Sequence, residues 1–151
     1  MIAAAEVVAE ARAWRDTPYH HQARSRGMGV DCAGLVIGVA RELGLVELGF
    51  DVGGYARRPD GASLLAECDR FMVRVAVDQL APGHVAVLRF EHDPQHLGIV
   101  ADYLHGGLSL VHALGTVDGR GRVLEQRLAP DTLARLVQAY ALPGVNYEGG
   151  T

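Results

Sequence analysis

The chain contains 2 cysteines and 7 histidines, and their placement is the first chemical signal in it. Cys32 follows the glycine-containing stretch SRGMGVD and opens the run CAGLVIGVARELG, which reads as a helix. A thiol at a helix N-terminus meets the positive end of the macrodipole and unsatisfied backbone N–H groups, both of which favour the thiolate. The same N–H groups can stabilise the oxyanion that develops on an attacked carbonyl. Ala33 and Gly34 are small enough to let a substrate approach. Position alone suits a core cysteine equally well, so the histidines decide. A nucleophilic cysteine needs a base within hydrogen-bond reach, and the base needs a third group to fix its ring. His96 opens the strand-like run HLGIVAD, and His112 lies in a later one, LVHAL. On neighbouring antiparallel strands two such residues face one another with Cβ atoms ~5 Å apart. Gly98 permits another backbone or a helix to come close. The pattern therefore predicts Cys32 as nucleophile, His96 as its base and His112 as the group that orients the base.

A metal is the competing use for these histidines. His92, Asp93 and His96 form an H-x-x-x-H pattern, which binds zinc when both histidines share one helical face. Pro94 stands between them and opposes a helix. Asp93-Pro94 reads instead as a turn into the strand, and neither a metal nor a cofactor is expected. Cys68, in SLLAECDRF, reads as a small buried hydrophobe rather than a disulfide partner of Cys32.

The elements that must position these residues change character along the chain. Ala3 to Trp14 has apolar positions at helical spacing, and Thr17-Pro18 stops that helix. Tyr19 to Val30 forms a loop rich in Arg, His and Gly. The second helix runs from about Cys32 to a C-terminal glycine at Gly44, and a short third spans about Ala62 to Asp69. Alternation of apolar and polar residues then predicts strands at Phe71–Val77, His84–Phe90, Leu97–Tyr103, Leu108–Ala113, Val123–Leu128 and, weakly, Ala139–Leu142. Gly53-Gly54 and Arg58-Pro59-Asp60-Gly61 mark irregular structure. Turns are expected at Pro82-Gly83, Gly106-Gly107 and Asp118-Gly119. Helices first and an antiparallel sheet second give the α+β class, as one domain over residues 1–151.

At 151 residues the sequence suits one core rather than two. It is 49% hydrophobic and 21% charged, with a formal net charge of −4. That balance predicts a folded protein and makes a nucleic-acid partner unexpected, since binding a phosphate backbone needs clustered basic residues. All 14 basic residues are Arg, which points to coding bias rather than to function. No apolar run approaches the ~20 residues of a membrane span, so membrane insertion is not expected. Glu6 and Glu10 interrupt the place where a signal peptide would have its apolar stretch.

The run TPYHHQARSRGMGVDCAGLVIGVARELGL, followed by APGHVAVLRF, PQHLGIVAD and LVHAL, resembles the NlpC-type cell-wall endopeptidases. It is most similar to the short, single-domain versions encoded in phage and prophage tail clusters, including those of gene transfer agents. The closing VQAYALPG extends the resemblance over nearly the whole chain. The resemblance implies a papain-like α+β fold in which the Cys-bearing helix packs on an antiparallel sheet carrying both histidines. It also implies Cys32, His96 and His112 as the catalytic set, with the Tyr19 hydroxyl near the nucleophile and oxyanion and with Asp31 contacting or positioning substrate. Substrates would be peptidoglycan stem peptides, cut between γ-D-glutamate and a diamino acid. Partners would be other tail or baseplate proteins, the chain being made in the cytoplasm and carried to the wall in a tail-like particle. Ala33 stands where many relatives have serine, and His20-His21-Gln22 replaces a common Trp-Gly-Gly, so the bond cut is less determined than the mechanism. Tyr19 packing on the first helix and Asp31 acting as an N-cap are alternative readings. Arg24 and Arg26, just ahead of Cys32, are candidates to meet stem-peptide carboxylates, or belong to an ordinary solvated loop. An amidase or acyltransferase using the same Cys-His pair, and a tail component with an idle site, are the other functional readings.

Overall fold

A computed structural model describes residues 1–52, 61–90, 93–116 and 120–148. In chain order the elements are β1 (Ile2–Ala3), α1 (Ala4–Ala13), β2 (Arg24–Ser25), β3 (Gly29–Val30), α2 (Cys32–Glu42), α3 (Gly61–Phe71) and β4 (Val73–Val75). After a 3-10 turn at Val77–Gln79 come β5 (Val85–Phe90), β6 (Asp93–Asp102), β7 (Leu108–Leu114), β8 (Arg122–Arg127), α4 (Pro130–Leu133), β9 (Leu136–Ala141) and β10 (Val145–Asn146). Six strands form one antiparallel sheet in the order β4-β9-β5-β6-β7-β8. The α+β class with helices packed on an antiparallel sheet is therefore as expected.

Helix α2 is the centre of this arrangement. Residues Gly34 to Ala40 are all buried, which is what an apolar run without a polar face produces. Two glycines one turn apart let neighbours approach its backbone. A Cβ at Gly34 would strike the Ala23 carbonyl and Val30, and one at Gly38 would overlap the Trp14 ring. The first contact seats the loop that leads into Cys32, and the second docks α1. Leu43 caps α2, and Gly44 follows at φ 70°, the left-handed conformation expected of a terminating glycine.

The sheet carries apolar residues on both faces. Val85, Val87, Leu97, Ile99, Val111 and Ala113 share the main core with α1 and α2. Ala86, Leu88, Val100 and Leu110 point the other way and form a second cluster with Leu128.

Several boundaries differ from expectation. The third helix runs on to Phe71, so the strand predicted from there is confined to Val73–Val75. Asp93-Pro94 is not a turn: β6 begins at Asp93, with Pro94 opposite Arg89. Pairing of β6 with β7 starts only at Ile99↔Val111, so Pro94 lies where β6 has its ladder on one side and its missing N–H is tolerated. The last expected strand begins earlier, at Leu136, and the loop before Cys32 contains the hairpin β2–β3. Gly83, Gly106 and Gly107 take positive φ at the anticipated turns. His92, Asp118-Gly119, Gly53-Gly54 and Arg58-Pro59-Asp60 lie outside the described residues.

Candidate active site

The N-terminus of α2 meets the sheet where β6 and β7 part. The Val100 N–H donates to the His84 carbonyl at 2.8 Å, so alternation along β6 turns the Leu97 N–H towards the β7 side. Among the described residues the β6–β7 ladder stops at Ile99↔Val111, and the Leu97 N–H acts on the Cys32 thiol, lowering its pKa. Leu97 directly follows His96 in β6. Cys32 packs against the main core on the helix side of the sheet, whereas His96 lines the cavity with Leu88 and Leu110.

His96 and His112 are joined directly. Nε2 of His96 lies 2.7 Å from Nδ1 of His112, and Nε2 of His112 lies 2.5 Å from Oε1 of Gln126 on β8. Both rings are buried, at 5% and 4% exposure. They and Gln126 line a cavity of about 290 Å³ with Leu88, Leu110 and Leu114, and Arg135 is among its walls.

Loss of water dominates the protonation of the site. Burial pushes the Cys32 thiol up to about 11, and the Asp31 carboxylate raises it further, against the lowering effect of the Leu97, Ala33 and Cys32 N–H groups. Burial pushes His96 down to about 3, and the neighbouring His112 lowers it as well. His112 is also depressed by burial, opposed by its bond with Gln126. The helix-terminal N–H groups act in the expected direction, but desolvation outweighs them. Both shifts favour the neutral thiol and the neutral imidazole, against the thiolate anticipated from helix position alone.

The other candidate residues have different surroundings. Asp31, expected to contact substrate, is 2% exposed and held within the protein. It caps α2 by accepting from Gly34 N at 2.8 Å, accepts from Gln22 N at 2.7 Å, and pairs with Arg24 at 2.8 Å. Arg24, expected to meet substrate carboxylates, has a side chain only 9% exposed. It also bonds Asp51 at 2.9 Å and the Val52 carbonyl at 3.0 Å. The Asp31–Arg24–Asp51 chain thus fastens the β2–β3 hairpin to the start of α2. Arg26 is half-exposed and pairs with Glu10 of α1 at 3.2 Å. Tyr19 is half-buried against the main core, with its ring over Gly115 and its backbone bridged to Val30. Cys68 is a free, buried cysteine in that core. Among the described residues no three His, Cys, Asp or Glu side chains are grouped as a metal site, and no helix is long and apolar enough to cross a membrane.

Gln126 was not anticipated. An exposed glutamine in RVLEQR carries no signal of its own, and only the β7–β8 register, with Leu110 opposite Gln126, brings it to the histidines.

Comparison with solved structures gives a consistent picture of the fold. The NlpC/p60 domain of the peptidoglycan hydrolase SagA matches with a TM-score of 0.64 at 20% identity, covering 93% of this chain and 100% of that one. An NlpC/P60 family protein from Bacillus cereus matches at 0.64 and 18% identity, over 91% of this chain and 39% of its own. A lipoprotein-like NLP/P60 protein from Staphylococcus aureus matches at 0.61 and 14% identity, over 92% of this chain and 41% of its own. The chain thus spans the whole of the first and about two fifths of the other two. No protein-family model and no curated protein matches the sequence. The chain has the papain-like α+β fold of NlpC/p60 domains.

Proposed function

We propose that this chain is a cysteine peptidase that hydrolyses peptidoglycan stem peptides. The observation that carries the reading is the Cys32 thiol at the N-terminus of α2, acted on by the Leu97 N–H next to His96 in sequence, with His96 bonded to His112, on the fold of peptidoglycan-hydrolase domains. Cys32 Sγ attacks the scissile carbonyl while its proton passes to Nδ1 of His96. The backbone N–H groups at the start of α2, and the Tyr19 hydroxyl, are assigned to the oxyanion. His96 then gives that proton to the leaving amine as the C–N bond breaks, leaving a thioester. Water, deprotonated by His96, hydrolyses the thioester and the thiol is restored. His112 orients His96 throughout.

The γ-D-glutamyl–diamino acid bond is the assigned target, and a phage-like tail that opens the wall during DNA delivery is the assigned setting. Both rest on the sequence resemblance. Purified peptidoglycan digested with the wild-type protein should yield muropeptides with a new diamino-acid N-terminus, read by mass spectrometry. Release of intact stem peptides from the glycan would instead make the protein an amidase. No release at all would overturn the hydrolase reading.

A further inference from the structure

Two neutral imidazoles can share a proton in either sense, and only one sense leaves Nδ1 of His96 able to accept the thiol proton. If His112 donates from Nδ1, then Nε2 of His96 is the acceptor and its Nδ1 carries the hydrogen. A base in that state has no lone pair at Nδ1 and cannot take the thiol proton there. Something must fix the direction of the His96–His112 bond.

We infer that Gln126 is a positioning residue that sets this direction, acting through His112 on the base of the peptidase reaction proposed above. An amide oxygen bears no proton, so Oε1 of Gln126, 2.5 Å from Nε2 of His112, requires that nitrogen to be the donor. His112 is buried and kept neutral, so its Nδ1 is then a bare acceptor. Across the 2.7 Å contact the hydrogen belongs to Nε2 of His96, and the lone pair of His96 is placed on Nδ1. A side chain three groups removed from the sulfur thereby selects the tautomer of the base.

The charge environment explains why an amide suits this position. Arg135 shares the cavity wall, and burial opposes a second proton on His112. Glu125 and Arg127 flank Gln126 on β8, but strand alternation turns them to the opposite face, where Glu125 accepts from Arg12 at 2.9 Å and from Ser109 at 2.7 Å. Leu88 of β5, Leu110 of β7 and Thr132 of α4 complete the surroundings without charge. A carboxylate in place of Gln126 would hold protons on both nitrogens of His112. The bond to His96 would reverse, and the hydrogen would move to Nδ1 of the base.

Gln126→Leu and Gln126→Glu, made in the full chain with ¹⁵N-labelled histidine, test this. Long-range ¹⁵N correlation spectra should show His96 and His112 of the wild type as Nε2–H tautomers. In Gln126→Leu the His112 signal should become a tautomer mixture, with kcat falling roughly ten- to hundredfold at little change in KM, as for loss of the outer-shell partner of a metal-bound histidine. In Gln126→Glu the acid limb of the pH–rate profile should move to higher pH, with activity recovering once His112 is neutral again. A merely structural glutamine would scale kcat equally at every pH. An Nδ1–H tautomer of His112 in the wild type, or an unaltered tautomer and pH profile in both variants, would overturn the inference. The near-isosteric glutamate variant keeps the test decisive if the leucine variant misfolds. The spectra require no substrate, so a failure of the peptidase reading would appear separately, as absent turnover with the tautomers as stated.

Discussion

Cys32 is partly buried and His96 is buried, with opposite consequences for their protons. The thiol is pushed up to about 11 and the His96 imidazole down to about 3, and both shifts favour the uncharged forms. Attack must then be coupled to proton transfer, because a preformed ion pair would place two charges in a poorly solvated site. The rate of alkylation of Cys32 by iodoacetamide should therefore climb with pH from about 5 to 8 instead of sitting on the plateau of a low-pKa thiolate. A plateau reaching well below neutrality would show a stored thiolate. Cys68, pushed up to about 12 by burial, should react more slowly throughout. Cys32, His96 and His112 stood out at this scale as candidates for nucleophile, base and orienting group because they are rare types at telling positions. The Arg24–Asp31 pair was not legible, because the sequence shows two charges near Cys32 but not that they bond each other at 2.8 Å. Gln126 was invisible for the opposite reason: its type is ordinary, and only its partner is unusual.

Helix α2 and the strands around it hold these groups in register. The helix was readable from its ends and its apolar run, and the central strands from their period of two. The β2–β3 hairpin was not, since two-residue strands have no period, and its shape depends on Arg24 reaching Asp51 across 27 positions. The α1–α2 contact likewise depends on a single missing methyl group. Trp14 is 2% exposed and lies against the backbone at Gly38, where any Cβ would collide with rigid ring carbons. Gly38→Ala should cost about 1–3 kcal/mol by urea unfolding, as overpacking of a tight core does. Gly49 has open space where a methyl group would stand, so Gly49→Ala should stay within about 0.5 kcal/mol. Equal effects at the two sites would show that α1 does not dock through this glycine.

For the molecule as a whole, the buried histidines make stability depend on pH. Burial lowers His84, His96 and His112 from the ordinary imidazole value near 6.5. A group with a depressed histidine pKa is neutral in the folded state and takes up its proton on unfolding. The unfolded state therefore binds more protons below about pH 6.5, and stability is lost as pH falls through that value. The urea midpoint should fall between about pH 7 and pH 5, above the range in which ordinary carboxylates titrate. The fall should be smaller in His84→Gln, where one of the three is removed at a position away from the reacting groups. A midpoint constant over that interval would mean that these rings are solvated or already charged in the fold. The fold class was accessible from the order of helices and strands, but the coupling of histidine burial to acid stability needed the packing of both sheet faces.

The most direct test of the central claim is an acid-quenched reaction with a stem-peptide substrate, digested and mapped by mass spectrometry. The mechanism requires an acyl adduct as a thioester on the peptide containing Cys32, absent from Cys32→Ser, with that variant folded and inactive. An adduct on Cys68, or undiminished cleavage by Cys32→Ser, would contradict it.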